Sequence, residues 1–206
     1  PSSIYIFWMG LLLFENTKNV RIDSLTLTHG MDQDQFGGAV YISKSDPVFT
    51  AVKFTESEGV RGGALFIKES DPVFEDVEIL DNRSARGGGI YSKESTLELH
   101  VVEISDNEVL SNRDIFENSN GGAIYIDNSC LVLDSVLIQD NTVLDENSAG
   151  GAIYGGMPED EEDFACEDIA VQISNTEIRG NVSEDAGGAI YLKNVPSATI
   201  DHVLIT

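Results

Sequence analysis

SNGGAIYIDNS, residues 119–129, decides the fold, because nearly the same phrase returns along the chain. It reads GGAVYIS from 37, GGALFIK from 62, GGGIYSK from 87, GGAIYGG from 150 and GGAIYLK from 187. The glycine pairs open at Gly37, Gly62, Gly87, Gly121, Gly150 and Gly187, in steps of 25, 25, 34, 29 and 37 residues. A constant underlies the uneven steps. Twenty residues past a first glycine stand Ser57, Asn82, Asn107 and Asn141, led in by VKFTES, VEILDN, VEISDN and VLIQDN. The copy from Gly150 reaches its equivalent, Asn181, after 11 extra residues, and the last copy stops at HVLIT. Slid backwards, the same ruler puts Gly10 at the first glycine, Leu13-Phe14 at the Ile-Tyr position and Gly30 at the Asn position. That makes about seven repeats. Arrays of this kind need polar caps, so a chain that starts and stops inside the pattern reads as a piece of a longer array.

Within one repeat, three runs alternate with period two: AIYI at 123–126, LVL at 131–133 and VLI at 136–138. Gly-Gly, Asp-Asn-Ser, Asp-Pro and Asp-Asn turn signals separate such runs. Three short strands in about 25 residues without a helical period predict one coil of an all-β, single-stranded parallel β-helix. Helical repeats and the leucine-rich repeat are disfavoured. One domain is expected over 1–206, with loop insertions near 108–120, 142–149 and 155–168. Stacked coils lie about 4.8 Å apart, and glycine adopts positive φ without a Cβ penalty, so a glycine column lets identical corners pile up. Alternation turns Val40, Leu65, Ile90, Ile124, Ile153 and Ile190 inward, with Ile42, Ile67 and Ile126 two positions on; Leu131, Leu133, Val136 and Ile138 line the other walls. Asn82, Asn107, Asn141 and Asn181 are expected to form an inward amide ladder at left-handed turns. The sequons Asn82-Arg83-Ser84 and Asn181-Val182-Ser183 fall on the same positions, and a laddered asparagine cannot carry a glycan.

The GGAIY phrase and the V-x-I-x-x-N run resemble the Gly-Gly-Ala-Ile and F-x-x-N repeats of chlamydial polymorphic outer-membrane proteins. More broadly the chain is similar to right-handed β-helix repeat proteins with GGGIY coils. The resemblance covers residues 10–206 and implies a right-handed solenoid of the passenger type. That fold hosts adhesins, tailspikes, filaments and polysaccharide lyases, so it does not by itself fix a function.

Charge narrows the partners. The formal net charge is -24, from 36 acidic and 12 basic residues, which opposes nucleic acid and anionic membranes. The apolar run at 4–14 has no basic flank and is too short to span a bilayer; the repeat register reads it as a strand, and no direct membrane insertion is expected. Cys130 and Cys166 lack metal-site spacing. Cys166 ends the acidic loop GGMPEDEEDFACED one coil beyond Cys130, and a disulfide between them would pin that loop in an oxidising compartment.

Two outward columns are candidates for function. Tyr41, Phe66, Tyr91, Tyr125, Tyr154 and Tyr191, with Phe14 beneath, form an aromatic column readable as a stabilising ladder or as a strip for glycans or fibre contacts. Glu56, Asp81, Asp106 and Asp140 share one register and must fan into water or share cations; calcium is the one cofactor they suggest. The histidines His29, His100 and His202 sit at unrelated positions. Lys68-Glu69 and Lys93-Glu94 repeat as KES, which reads as surface pairing. The expectation is therefore a non-enzymatic extracellular or cell-surface β-helix, a stalk, filament unit or adhesive passenger. Its expected partners are other copies of itself, neighbouring surface proteins or glycans. The alternative is a polysaccharide lyase, hydrolase or epimerase, which would gather acids and a basic residue on one wall.

Overall fold

The computed structural model describes residues 3–4, 10–32, 36–110, 119–156 and 170–206. Every described strand pairs in parallel with its counterpart one coil away, and the strands form sheets of 13, 7 and 6 members. The glycine phrases build the seven-stranded sheet. Leu65 lies between Val40 and Ile90, and the column continues through Ile124, Ile153 and Ile190. Apart from Ile190, which is half-buried, these side chains are fully buried, as are Ile42, Ile67, Leu131, Leu133 and Ile138. The parallel β-helix expected from the repeat is the observed fold.

Its walls are composed differently from the expectation. The second and third runs of a coil share the 13-stranded sheet, and in two coils they fuse into single long strands, Val73–Leu80 and Thr96–Ser105. A further short strand follows each Asn position and forms the six-stranded sheet, as at Glu108–Leu110 and Thr142–Leu144. Residues 108–110 and 142–144, at the start of the insertions expected near 108–120 and 142–149, pair as strands in register. Residues 111–118 of the first lie outside the described residues, as do 157–168 of the insertion expected at 155–168.

Left-handed residues make the corners. Lys44, Glu69 and Glu94 mark one corner, Ala51, Asp76 and Val101 a second, and Glu56, Asp81 and Asp106 a third, all with φ between 48° and 57°. Each is followed by a buried inward residue: Ser45, Ser70 and Ser95; Val52, Val77 and Val102; Ser57, Asn82 and Asn107. One left-handed residue breaks the period-two alternation and turns the next side chain inward at a bend. The asparagines themselves are therefore not left-handed, contrary to expectation; the residue before each one is, an aspartate before Asn82, Asn107 and Asn141 and Gly180 before Asn181. At the fourth corner Gly62, Gly87, Gly121, Gly150 and Gly187 have φ of 61–70°, but Gly37 does not. The second glycine answers to a different demand. A Cβ on Gly122 would collide with the carbonyl oxygen of Gly151 in the next coil.

Two polar ladders cross the corners. Asn82 donates from its backbone N and from Nδ2 to Asn107 Oδ1, both at 3.0 Å, and Asn107 and Asn141 repeat the pattern onto Asn141 and Asn181. Nδ2 of Asn107 also donates to the carbonyls of Ile79 and Ser105. The serine ladder was not foreseen: the backbone N–H groups of Ser45, Ser70 and Ser95 donate to Oγ of Ser70, Ser95 and Ser129, each at 3.1 Å.

The first copy slips by one residue from the ruler. Leu12 pairs with Val40, Leu13 with Tyr41 and Phe14 with Ile42. Phe14 thus leaves the aromatic column for the core, where its ring meets Phe49 edge-on at 6.3 Å, while Leu13 is 65% exposed. The cause is one additional residue in the turn that follows. Asn16 aligns with Lys44 but Arg21 with Val48, and the turn holds a second left-handed residue, Asn19.

Asn107→Ala removes the acceptor of two buried donors on Asn82 and should cost about 2–4 kcal/mol in chemical denaturation. Ser92 is fully buried in the Ile67–Ile126 column, and its hydroxyl finds no partner among the described residues. Ser92→Ala should raise stability by about 1 kcal/mol in the same assay.

Candidate functional site

On the outer face of the seven-stranded sheet, Tyr41, Phe66, Tyr91, Tyr125, Tyr154 and Tyr191 stack with ring centroids 4.8–5.4 Å apart. The rings turn their faces largely toward one another, so a ligand lying along the wall meets mostly their edges. One flank carries the residue before each glycine pair: Phe36, Arg61, Arg86, Asn120, Ala149 and Ala186. Phe36 packs edge-on against Tyr41 and Phe66, and the guanidinium carbons of Arg61 and Arg86 lie 6.0 and 5.5 Å from the ring centres of Tyr91 and Tyr125. Phe66 and Tyr91 are each only 3% exposed. The column is thus covered by larger side chains as far as Tyr125 and flanked by Ala149 and Ala186 in the coils of Tyr154 and Tyr191.

Burial raises the pKa of the Tyr91 hydroxyl far above its ordinary 10.0, and the negative charge of Asp127, which accepts its hydrogen bond at 2.8 Å, adds to the shift. Burial likewise pushes Tyr125 up, with the nearby Arg86 charge opposing, and it also raises Tyr154.

The acids Glu56, Asp81, Asp106 and Asp140 occupy the left-handed position of the asparagine corner and point into solvent. His29 holds the same position one coil earlier, with Nε2 2.8 Å from Glu56 Oε2. The ruler that put Gly30 at the Asn position placed His29 at the acid position, so that signal was available. Glu56, Asp81 and Asp106 share an open groove with Glu58, Arg83 and Glu108; Asp140 is not part of its lining. Arg83 pairs with Glu58 and Glu108 in the sheet, and its Nε lies 2.9 Å from Glu108 Oε2. Among the described residues no group of three or more His, Cys, Asp or Glu side chains is disposed to hold a metal ion.

The KES turns pair within and between coils. Lys68 lies 3.2 Å from Glu69, Lys44 3.4 Å from Glu69, and Lys93 3.3 Å from Glu94 and 3.6 Å from Asp127. The hydrogen bond from Lys68, then the charge of Lys44, hold Glu69 below its ordinary value. His100 and His202 stay apart from the acid groove, beside Glu98 and Asp201 respectively. Cys130 is disulfide-bonded; Cys166 lies outside the described residues. Asn82 is fully buried and Asn181 accepts from Asn141, so both sequon asparagines serve the ladder.

A family profile described as right handed beta helix region matches residues 6–159. No curated protein and no solved structure matches the chain.

The raised tyrosine values fix a sign. A phenol whose folded pKa lies above its unfolded value favours the neutral form, so its contribution to stability is complete below pH about 10 and is lost as pH rises beyond. In an absorbance titration the phenolate signal of Tyr91 and Tyr125 should emerge only together with alkaline unfolding, and Tyr91→Phe should subtract from that late step.

Proposed function

Because the chain belongs to the right-handed β-helix family, we propose that it serves as a non-enzymatic extracellular or cell-surface β-helix, a stalk, filament unit or adhesive passenger. The observation that carries this reading is the use of its polar side chains. The asparagine and serine ladders, the tyrosine column and the Lys-Glu turns repeat the same contact from coil to coil. A catalytic group is a single departure from its neighbours with its own environment, whereas here even the strongly shifted tyrosines belong to the repeat. The disulfide at Cys130 supports an oxidising compartment. Partners in this role are further copies of the chain, neighbouring surface proteins or glycans.

The groove that gathers Glu56, Glu58, Asp81, Asp106 and Glu108 around Arg83 favours a second reading, a polysaccharide-processing enzyme. Acids beside a basic residue in an open groove are the constellation that such chemistry requires. Against it stands the pairing of Arg83 with Glu108, which leaves the base ion-paired as a guanidinium.

The two separate in one experiment. The protein is incubated with neutral and uronic polysaccharides, with and without calcium, while new reducing ends and unsaturated products are followed. No turnover is expected, and a glycan array then reads binding alone. Turnover abolished by Arg83→Ala or Asp81→Asn would establish the enzyme instead. Melting with and without a chelator decides the acid column: a fall in midpoint means that Glu56, Asp81, Asp106 and Asp140 share calcium.

A further inference from the structure

We propose that the second half of the aromatic column is a site of oxidative cross-linking, at which Tyr154 forms dityrosine bonds with Tyr125 and Tyr191. The inference rests on ring geometry and not on the role proposed above. Five of the six tyrosines in the sequence stand in this one column. Tyr125 and Tyr154 lie 4.8 Å apart between centroids and Tyr154 and Tyr191 5.4 Å, with interplanar angles of 22° and 7°. These three rings are half-buried, whereas Tyr91 is 3% exposed, covered by Arg61 and anchored to Asp127. Tyr41 has Phe66 as its stacked neighbour, so it faces no second phenol.

Coupling requires a one-electron oxidant, here a peroxidase with hydrogen peroxide. Each of two phenols loses one electron and its hydroxyl proton, giving two phenoxyl radicals with spin on the ring carbons ortho to oxygen. Those carbons join in one C–C bond. Each then releases its hydrogen as a proton while its oxygen takes one up, restoring both phenols. In sum, two ring C–H bonds are replaced by one C–C bond, and one hydrogen peroxide is reduced to two waters. The new bond draws the paired rings out of parallel, which demands room. Around Tyr154 and Tyr191 the flanking column has shrunk to Ala149 and Ala186, and Gly156 follows Tyr154 across the strand. Arg61 lies over Tyr91 and Arg86 over Tyr125, so in each proposed link the room is on the side of Tyr154 and Tyr191, whereas a Tyr91–Tyr125 link would have an arginine over both rings.

The closing experiment treats the dilute protein with peroxidase and hydrogen peroxide and reads dityrosine fluorescence, electrophoretic mass and peptide maps. Expected are intramolecular Tyr125–Tyr154 and Tyr154–Tyr191 links in chains of monomer mass, with an upward shift in the denaturation midpoint. Tyr154→Phe should lose both links while keeping the stack, since Phe66 already occupies a place in it. Tyr91→Phe should retain both at the wild-type yield. The proposal is overturned if links form only between molecules, if they survive Tyr154→Phe, or if none appears at a dose that couples free N-acetyltyrosine.

Discussion

In-register parallel pairing, residue over like residue at one strand spacing, is the constraint from which the rest of the molecule follows. It forces each position in a coil to suit its own copy above and below. Small residues survive where backbones approach, as at Gly122 against Gly151. Amides survive where one side chain can both donate and accept, as at Asn107 between Asn82 and Asn141. Apolar residues fill the space between walls, where Phe49 and Phe74 stack at 4.9 Å and Phe54 meets both edge-on.

Like charges are the difficulty in such a scheme, and the chain meets it in two ways. Along Glu58, Arg83 and Glu108 the sign alternates from coil to coil, so that neighbours attract. Along Glu56, Asp81 and Asp106 the sign repeats, but the left-handed corner throws each carboxylate outward into water. Exposed ion pairs contribute about 0–1 kcal/mol each, so Lys53–Glu78 and Arg83–Glu108 order the surface more than they hold the fold.

Much of this was legible because identical residues at fixed offsets leave few alternatives. The glycine pairs, the inward aliphatic columns and the asparagine ladder all follow from the ruler. Strands of two or three residues did not, since Thr142–Leu144 lies among turn-forming residues and carries too short a pattern to count. Phe14 was misplaced because a single added residue in the turn at 16–20 exchanges inside for outside, and the ruler ran across that turn blind. The serine ladder was visible as SKSD and KES but looked like ordinary loop chemistry; only the stacking shows that Oγ of Ser95 serves the backbone of the coil before it. The acid groove lay within reach of the ruler, since Glu58, Arg83 and Glu108 stand one place past Ser57, Asn82 and Asn107, but the short strand that aligns them was not expected.

The 25-residue step between Gly62 and Gly87 carries one more implication. Excising residues 62–86 would join Arg61 to Gly87, a junction of the same kind as Arg86 to Gly87, and would leave each column continuous with one member fewer. Length in such a molecule is therefore quantised: it changes by whole turns of the spiral with the ladders kept in register, here at the cost of setting Glu58 beside Glu108, whereas loss of a single residue scrambles inside and outside. Gene duplication and deletion in units of one turn are thus the natural route by which length can evolve without altering the cross-section of the spiral.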